Sequence, residues 1–122
     1  MYDFDTLLKT DPVQFTLWLK GQFVSDIPLT FDTTEDLQKI GKLMGVTANR
    51  YSYIVAFLSY AKTVTRKLKR SGKEYKEDYE DMVDRRDALQ NTADILKLQY
   101  QSMSRLITIR QEINAELRMS EL

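Results

Sequence analysis

The chain of 122 residues carries 18 basic and 18 acidic side chains, no histidine and no cysteine. It therefore lacks the commonest general base, a thiolate nucleophile and the usual ligands of structural zinc, which excludes most catalytic and metal-site chemistry. A formal net charge of zero leaves no global field that would attract nucleic acid or anionic lipid. We predict one domain that acts by binding, without enzymatic activity or a cofactor.

Nothing in the sequence predicts contact with a membrane. The amino terminus, Met1–Asp5, lacks the basic residues and the apolar run of a signal peptide. No apolar run approaches the ~20 residues that cross a bilayer. The absence of cysteine fits a reducing compartment. We therefore expect no membrane partner and a cytoplasmic location.

Residues 1–46 are predicted to contain two short helices. Asp11 and Pro12 form a helix start, because aspartate accepts bonds from the first backbone N–H groups and proline fits the first helical position. This helix should run to Phe23. The second short helix should end at Gly45, because glycine commonly follows the last turn of a helix.

Residues 47–122 are predicted to form a long helical hairpin. Thr47 is a suitable N-cap, and Ala48–Arg70 contains neither glycine nor proline while its apolar residues recur at helical spacing. Gly72 lies where a left-handed residue would close this arm. The second arm, residues 74–119, again lacks glycine and proline. The predicted fold class is all-α, a helical hairpin with a long C-terminal helix and two shorter N-terminal helices.

The two arms differ in predicted length. At 1.5 Å per residue, the first arm would be ~34 Å long and the second ~68 Å. The sequence leaves open whether residues 34–70 form one helix or two. The distal half of the second arm should lie uncovered and need a partner, so we expect the N-terminal region and a second copy of the chain to cover it in a coiled-coil-like homo-oligomer. The predicted oligomerisation residues are Leu96, Tyr100, Met103, Leu106, Ile107, Ile109, Ile113 and Leu117.

Basic side chains dominate the first arm, which has no acidic residue. One interpretation is a phosphate-binding arm, with Tyr51, Tyr53 and Tyr60 as stacking platforms for nucleic-acid bases. The alternative is structural, because cations stabilise a helix C-terminus and antiparallel arms would pair them with the acids after the turn. The candidate nucleic-acid-binding residues are Arg50, Lys62, Arg66, Lys67, Lys69, Arg70 and Lys73.

Acidic side chains follow the turn. They stabilise the start of a helix, but a row of carboxylates also imitates phosphates. A rival function is therefore an inhibitor, such as an anti-CRISPR protein, that occupies the basic cleft of another protein. A structural assembly subunit is a third interpretation. The acidic partner face would consist of Glu74, Glu77, Asp78, Glu80, Asp81 and Asp84.

The order of features in the hairpin adds a resemblance. An aromatic-rich stretch, Tyr51–Tyr60, leads into the basic residues Lys62–Arg70, then into a charged turn with Tyr75 and Tyr79 and a long closing helix. In layout and size, the last two-thirds of the chain resembles the UvsY-like recombination mediators of T4-like phages. The resemblance implies a phage or prophage protein in the host cytoplasm that forms a ring-like oligomer, binds single-stranded DNA and loads a recombinase. The basic residues would then contact DNA.

Overall fold

The computed structural model describes residues 3–121, which form four α-helices and no strand. The long helices are antiparallel, and the short ones pack across one side of them. The all-helical class and the long C-terminal helix are as predicted. A π-helical turn, Lys20–Val24, extends the second helix. The helices are α1 (Phe4–Leu7), α2 (Pro12–Leu19), α3 (Leu37–Arg70) and α4 (Glu77–Ser120).

Aspartate side chains begin the helices of the N-terminal half. The Asp11 carboxylate accepts the backbone N–H groups of Val13 and Gln14 at 3.1 and 3.2 Å. The Asp36 carboxylate accepts the N–H of Gln38 at 3.0 Å at the start of α3. Each bond supplies a partner for a backbone donor that a helix end leaves unpaired. The predicted start of α2 is confirmed.

The turn between α3 and α4 is closed by glycine, as predicted. Gly72 has a φ of 73°, a conformation that glycine adopts without the steric penalty of a side chain. The N–H groups of Gly72 and Lys73 donate to the carbonyls of Lys69 and Leu68 at 3.1 and 3.0 Å, which completes the end of α3. α4 begins at Glu77, a little later than predicted.

The predicted break between a helix ending at Gly45 and an arm starting at Thr47 is wrong, because α3 is continuous. Each glycine in a helix interior costs about 1 kcal/mol relative to alanine. Burial offsets that cost, because the side chain of Ile40 is fully buried and packs with Met103 of α4. Thr47 is also buried within the helix and caps nothing.

A longer α3 changes the expected mismatch between the arms. α3 has 34 residues and α4 has 44, so they are about 51 and 66 Å long. The predicted twofold difference in length is therefore wrong. The longest unbroken run of exposed residues within the range 3–121 is 111–121, at the end of α4.

An aromatic cluster fixes α1 and α2 to the hairpin. The ring of Phe4 stacks on Phe57 with 4.4 Å between centroids, and Phe15 meets the same ring edge-on at 5.7 Å. Phe23, which follows α2, stacks on Tyr53 at 5.5 Å. Burial of such rings supplies most of the driving force for packing this region. In residues 3–121, no helix has both the length and the apolar character needed to cross a bilayer.

Candidate nucleic-acid interface

The N-terminal segment covers one side of the α3–α4 hairpin, which we call the covered side. Backbone carbonyls of this segment accept hydrogen bonds from α4: Thr10 from Arg85 Nε at 2.8 Å, and Val24 and Ile27 from Gln99 Nε2 at 2.9 and 2.8 Å. These bonds give partners to the three carbonyls, to Arg85 Nε and to Gln99 Nε2, whereas Gln99 Oε1 has no hydrogen-bond partner among the described residues. The covered side is therefore closed by the chain itself.

A cleft opens between α3 and α4 away from α2. Its volume is about 310 Å³, at the lower end of the range of roughly 300–1,000 Å³ that small-molecule sites occupy. Residues from both long helices form its walls, and tyrosine side chains are exposed on each. The lining residues are Thr47, Ala48, Tyr51, Ser52, Leu96, Lys97 and Tyr100.

Helical periodicity extends this cleft along the hairpin as one surface, which we call the open groove. Residues three, four or seven apart share a helix face. On α3 the face of Tyr51 continues through Val55, Lys62, Arg66 and Lys69 to the turn. On α4 the face of Tyr100 and Lys97 continues through Gln90, Arg86 and Tyr79. The open groove thus has an aromatic end at the cleft and a basic end near the turn.

Most of the predicted nucleic-acid-binding residues lie at that basic end. Lys62, Arg66 and Lys69 line the groove, Arg70 lies beside them, and Lys67 lies on the outer face of α3. Lys73 lies in the turn. All six of these side chains are exposed. Within residues 3–121, none of them comes within 4.0 Å of a carboxylate. The expected ion pairs between the arms do not form.

The acids fail to pair with these cations because most of them face the other way. Asp84 lies beside Val13 and Leu17 of α2, on the covered side. Glu77, Glu80 and Asp81 share that orientation, since each is three, four or seven residues from Asp84. Of the remaining two acids, Asp78 shares the face of the buried Met82, and Glu74 is half-buried in the turn. Among the described residues, no group of three or more carboxylates is arranged to hold a metal ion.

Arg50 is separate from the other candidate DNA contacts. Its guanidinium donates two bonds to the carboxylate of Asp26, at 2.8 and 3.0 Å, and a third to the carbonyl of Phe23 at 3.2 Å. The hydrogen bond from Arg50 lowers the pKa of Asp26, and the same bond raises the pKa of Arg50. This side chain therefore attaches the end of the α2 region to α3 on the covered side.

The three tyrosines considered as stacking platforms fall into two groups. Tyr53 and Tyr60 pack against Phe4 in the aromatic cluster, and Tyr60 also donates a hydrogen bond to Asp5. That bond is the main cause of a raised pKa at Tyr60, because it stabilises the protonated phenol. Tyr51 lies in the cleft and is exposed.

The sequence reasoning missed two basic residues of the open groove, Arg86 and Lys97. Arg86 is half-buried and bonds its neighbour Asp87 at 3.3 Å, while Lys97 lines the cleft. The signal that identifies them is their helical spacing from Tyr79 and Tyr100 on α4. Asp94, which accepts a hydrogen bond from Gln90 at 3.1 Å, lies at the outer edge of this face.

The predicted oligomerisation residues divide by exposure. Leu96, Met103 and Leu106 are buried in clusters that include residues of the N-terminal region, which was predicted to cover this part of α4, so these three side chains do not project to a second copy of the chain. The earlier start of α3 and the segment around Ile27 and Ile40 cover them. The remaining residues are half-buried or exposed: Ile107, Ile109, Tyr100, Ile113 and Leu117.

No protein-family model matches this chain, and neither the curated proteins nor the solved structures compared with it give a match. The geometry defines an all-helical protein whose α3–α4 hairpin has one covered side and one side that carries the open groove. Tyrosine, lysine and arginine side chains project from the open groove.

Proposed function

We propose that this chain is a non-enzymatic binding protein that holds single-stranded DNA in the open groove as a recombination accessory factor. The supporting observation is that Lys62, Arg66 and Lys69 are exposed and have no carboxylate partner among the described residues. Cations without an internal counterion are available to phosphates, and displacement of condensed counterions then drives binding.

A net charge of zero does not oppose this proposal. The charges are segregated, since the basic groove and the acids Glu77, Glu80 and Asp84 lie on different sides of the hairpin. At physiological ionic strength, a charge acts over about 8 Å, so a strand in the groove senses the nearby cations more than the distant acids. The local field of the groove therefore supports anion binding.

The direct test is the binding of a fluorescein-labelled oligothymidylate, measured by anisotropy across a salt series. We expect tight binding at low salt, and a logarithmic salt slope of about −0.7 for each phosphate contacted. One charge-reversal variant should abolish it: Lys62→Glu, Arg66→Glu, Lys69→Glu and Arg70→Glu. A matched variant with the same net charge should bind like wild type: Lys9→Glu, Lys20→Glu, Lys39→Glu and Lys42→Glu. No binding by wild type at low salt, or equal losses in both variants, would refute the proposal.

We also propose that the chain self-associates through the end of α4, as a loader of recombinase would. Ile109, Ile113 and Leu117 recur at four-residue spacing, and the last two are 42 and 57% exposed. Residues 111–121 extend past the covered part of the hairpin. An apolar stripe on an otherwise unsupported helix end is typical of helix pairing. Light scattering at tens of micromolar should report an oligomer for wild type and a monomer for Ile113→Glu/Leu117→Glu.

A second candidate function uses the acidic side. Glu77, Glu80, Asp81 and Asp84 likewise have no basic partner within 4.0 Å in the described residues. A row of carboxylates along one helix suits the basic cleft of a partner protein, as expected of an inhibitor or an assembly subunit. If the oligonucleotide does not bind, we expect a basic partner protein to bind this acidic side. Changing these four carboxylates to amides should then abolish that binding.

A further inference from the structure

The cleft at the aromatic end of the open groove is suited to one flat, aromatic group. Tyr51 on α3 and Tyr100 on α4 line its two walls, and they are 38 and 41% exposed. Exposed tyrosines offer ring faces on which a second aromatic ring stacks. A volume of about 310 Å³ holds one such group with its substituents and excludes a whole helix.

A second observation at the cleft points to a missing polar partner. Thr47 lines the cleft, its side chain is fully buried, and its hydroxyl oxygen has no hydrogen-bond partner among the described residues. Buried polar groups in native proteins nearly always have partners, and each exception needs an explanation. Because less than 1 Å² of this oxygen is exposed, a bound group with a polar edge becomes its partner only when the wall of the cleft shifts to admit it.

Charge determines which aromatic group fits. Lys97 lies at the cleft, and the face that begins at Tyr51 becomes basic at Lys62 and stays so to Lys69. Tyr51 and Lys69 are about 27 Å apart along α3 at 1.5 Å per residue. An apolar peptide would gain nothing from this row of cations. A ligand that joins flat rings to a chain of negative charges satisfies both ends of the groove.

We infer that the cleft holds one nucleobase of a single strand whose phosphates continue along the groove to Arg66 and Lys69. The inference rests on the proposed function and assigns its recognition element. The base stacks against Tyr51 and Tyr100, and Lys97 neutralises an adjoining phosphate. Because every base has a ring face, this site gives affinity with little preference for sequence.

The test separates stacking from charge by the salt dependence of binding. Stacking contributes about 1–3 kcal/mol per base, so Tyr51→Ala and Tyr100→Ala should each lower oligothymidylate affinity about 5- to 150-fold at fixed salt. The logarithmic salt slope should remain that of wild type. Tyr51→Phe keeps the ring and should bind normally. The control is Tyr75→Ala, because Tyr75 lies in the turn, is 91% exposed and should not affect binding.

A strand of abasic nucleotides provides the complementary probe, since it keeps the phosphates and removes the rings. The double variant Tyr51→Ala/Tyr100→Ala should bind the abasic strand and oligothymidylate alike, and wild type should bind the abasic strand with that same reduced affinity. If the tyrosine variants bind like wild type while the four-residue charge reversal abolishes binding, the cleft assignment fails and the proposed function stands. If wild type binds neither strand at low salt, the proposed function fails, and the cleft assignment fails with it.

Thr47→Val supplies a readout that is independent of exposed tyrosines. Valine has nearly the shape of threonine and removes the unpartnered hydroxyl. The variant should therefore melt at a higher temperature than wild type and bind oligothymidylate severalfold more weakly. A higher melting temperature with unchanged affinity would show that the Thr47 hydroxyl does not contact the bound base. A lower melting temperature would show that this hydroxyl already has a hydrogen-bond partner in the folded protein.

Discussion

The two sides of the α3–α4 hairpin use the same residue types in opposite ways. On the covered side, Arg85 is buried and donates to the carbonyl of Thr10, and Tyr60 donates to Asp5. On the open side, Arg66 bonds within its own helix, to Lys62 and Thr63, and to no other residue in the range 3–121, and Tyr51 lines an exposed cleft. Residue type therefore does not identify a binding surface here. What differs is whether the chain itself supplies the partner.

That contrast also explains how a neutral protein presents a basic groove. The sequence alternates from a basic stretch to an acidic one across the turn, which favours neutralisation between the arms. Whether neutralisation occurs depends on the rotation of each helix about its axis. Here Lys62 and Arg66 turn toward the groove, while Asp84 turns toward α2. The arms pack closely, yet their charges remain on separate surfaces.

The covered side should dominate stability. Phe57 is fully buried among aromatic rings from α1 and α2, so Phe57→Ala should cost about 3–5 kcal/mol in the free energy of unfolding. Tyr100→Ala, on the open side, should cost less than about 1 kcal/mol, because Tyr100 is already 41% exposed. Urea denaturation measures both. Similar losses would mean that the open side is also part of the core.

Gln99 tests the polar contacts of the covered side. Gln99→Leu keeps a side chain of comparable bulk but leaves the carbonyls of Val24 and Ile27 without their donor, which should cost about 2 kcal/mol. Gln90→Leu, on the open side, serves as the control and should change stability by less than about 0.5 kcal/mol. A neutral Gln99→Leu would show that water reaches those carbonyls or that removing Gln99 Oε1, which has no hydrogen-bond partner among the described residues, offsets the lost bonds.

Two glycines of the hairpin should respond in opposite directions. Gly72→Ala places a side chain at a φ of 73° and should destabilise the protein by about 1 kcal/mol. Gly45→Ala should stabilise it by about 0.5–1 kcal/mol, because Gly45 lies inside α3 and nothing lies within 4 Å of an added Cβ. Thermal unfolding distinguishes the two. A destabilising Gly45→Ala would contradict a continuous α3.

The smallest expected effect concerns the ion pair between Asp26 and Arg50, which holds Arg50 on the covered side. Folding lowers the pKa of Asp26, so its ionised carboxylate contributes to the free energy of unfolding above the ordinary pKa near 4. That contribution is lost as the pH falls through the lower pKa of the folded state. Because Asp26 is largely exposed, Asp26→Asn should cost at most about 1 kcal/mol at pH 7, and the difference should shrink as acid protonates the Asp26 carboxylate. Denaturation curves at pH 7 and at acid pH measure it. Oligonucleotide affinity should not change.

Local signals predicted two boundaries correctly, the start of α2 and the turn that closes α3. Asp11 with Pro12 and Gly72 act through their own backbone neighbours, so their roles are readable from sequence. Gly45 and Thr47 carry local signals for a break in the helix, but Ile40 packs against Met103, more than sixty residues further along the chain, and this packing keeps α3 continuous. Tertiary packing decided that point.

The candidate site was predictable only in part. The run from Lys62 to Arg70 is visible as composition, but its pairing state depends on helix rotation, which composition does not specify. The structural role of Arg50 depends on Asp26, which lies in a different segment. The cleft combines Tyr51 with Tyr100, and only the register of the two long helices brings these residues together.

The most direct test of the open groove uses the absence of native cysteine, because single cysteines can be introduced and their reaction with a thiol reagent followed. Ser52→Cys and Gln90→Cys report on the groove, while Asn91→Cys and Thr16→Cys report on other exposed surfaces. With saturating oligothymidylate, labelling at the first two positions should slow severalfold and labelling at the last two should not change. Protection at Asn91→Cys or Thr16→Cys, or none at Ser52→Cys, would contradict binding in the open groove.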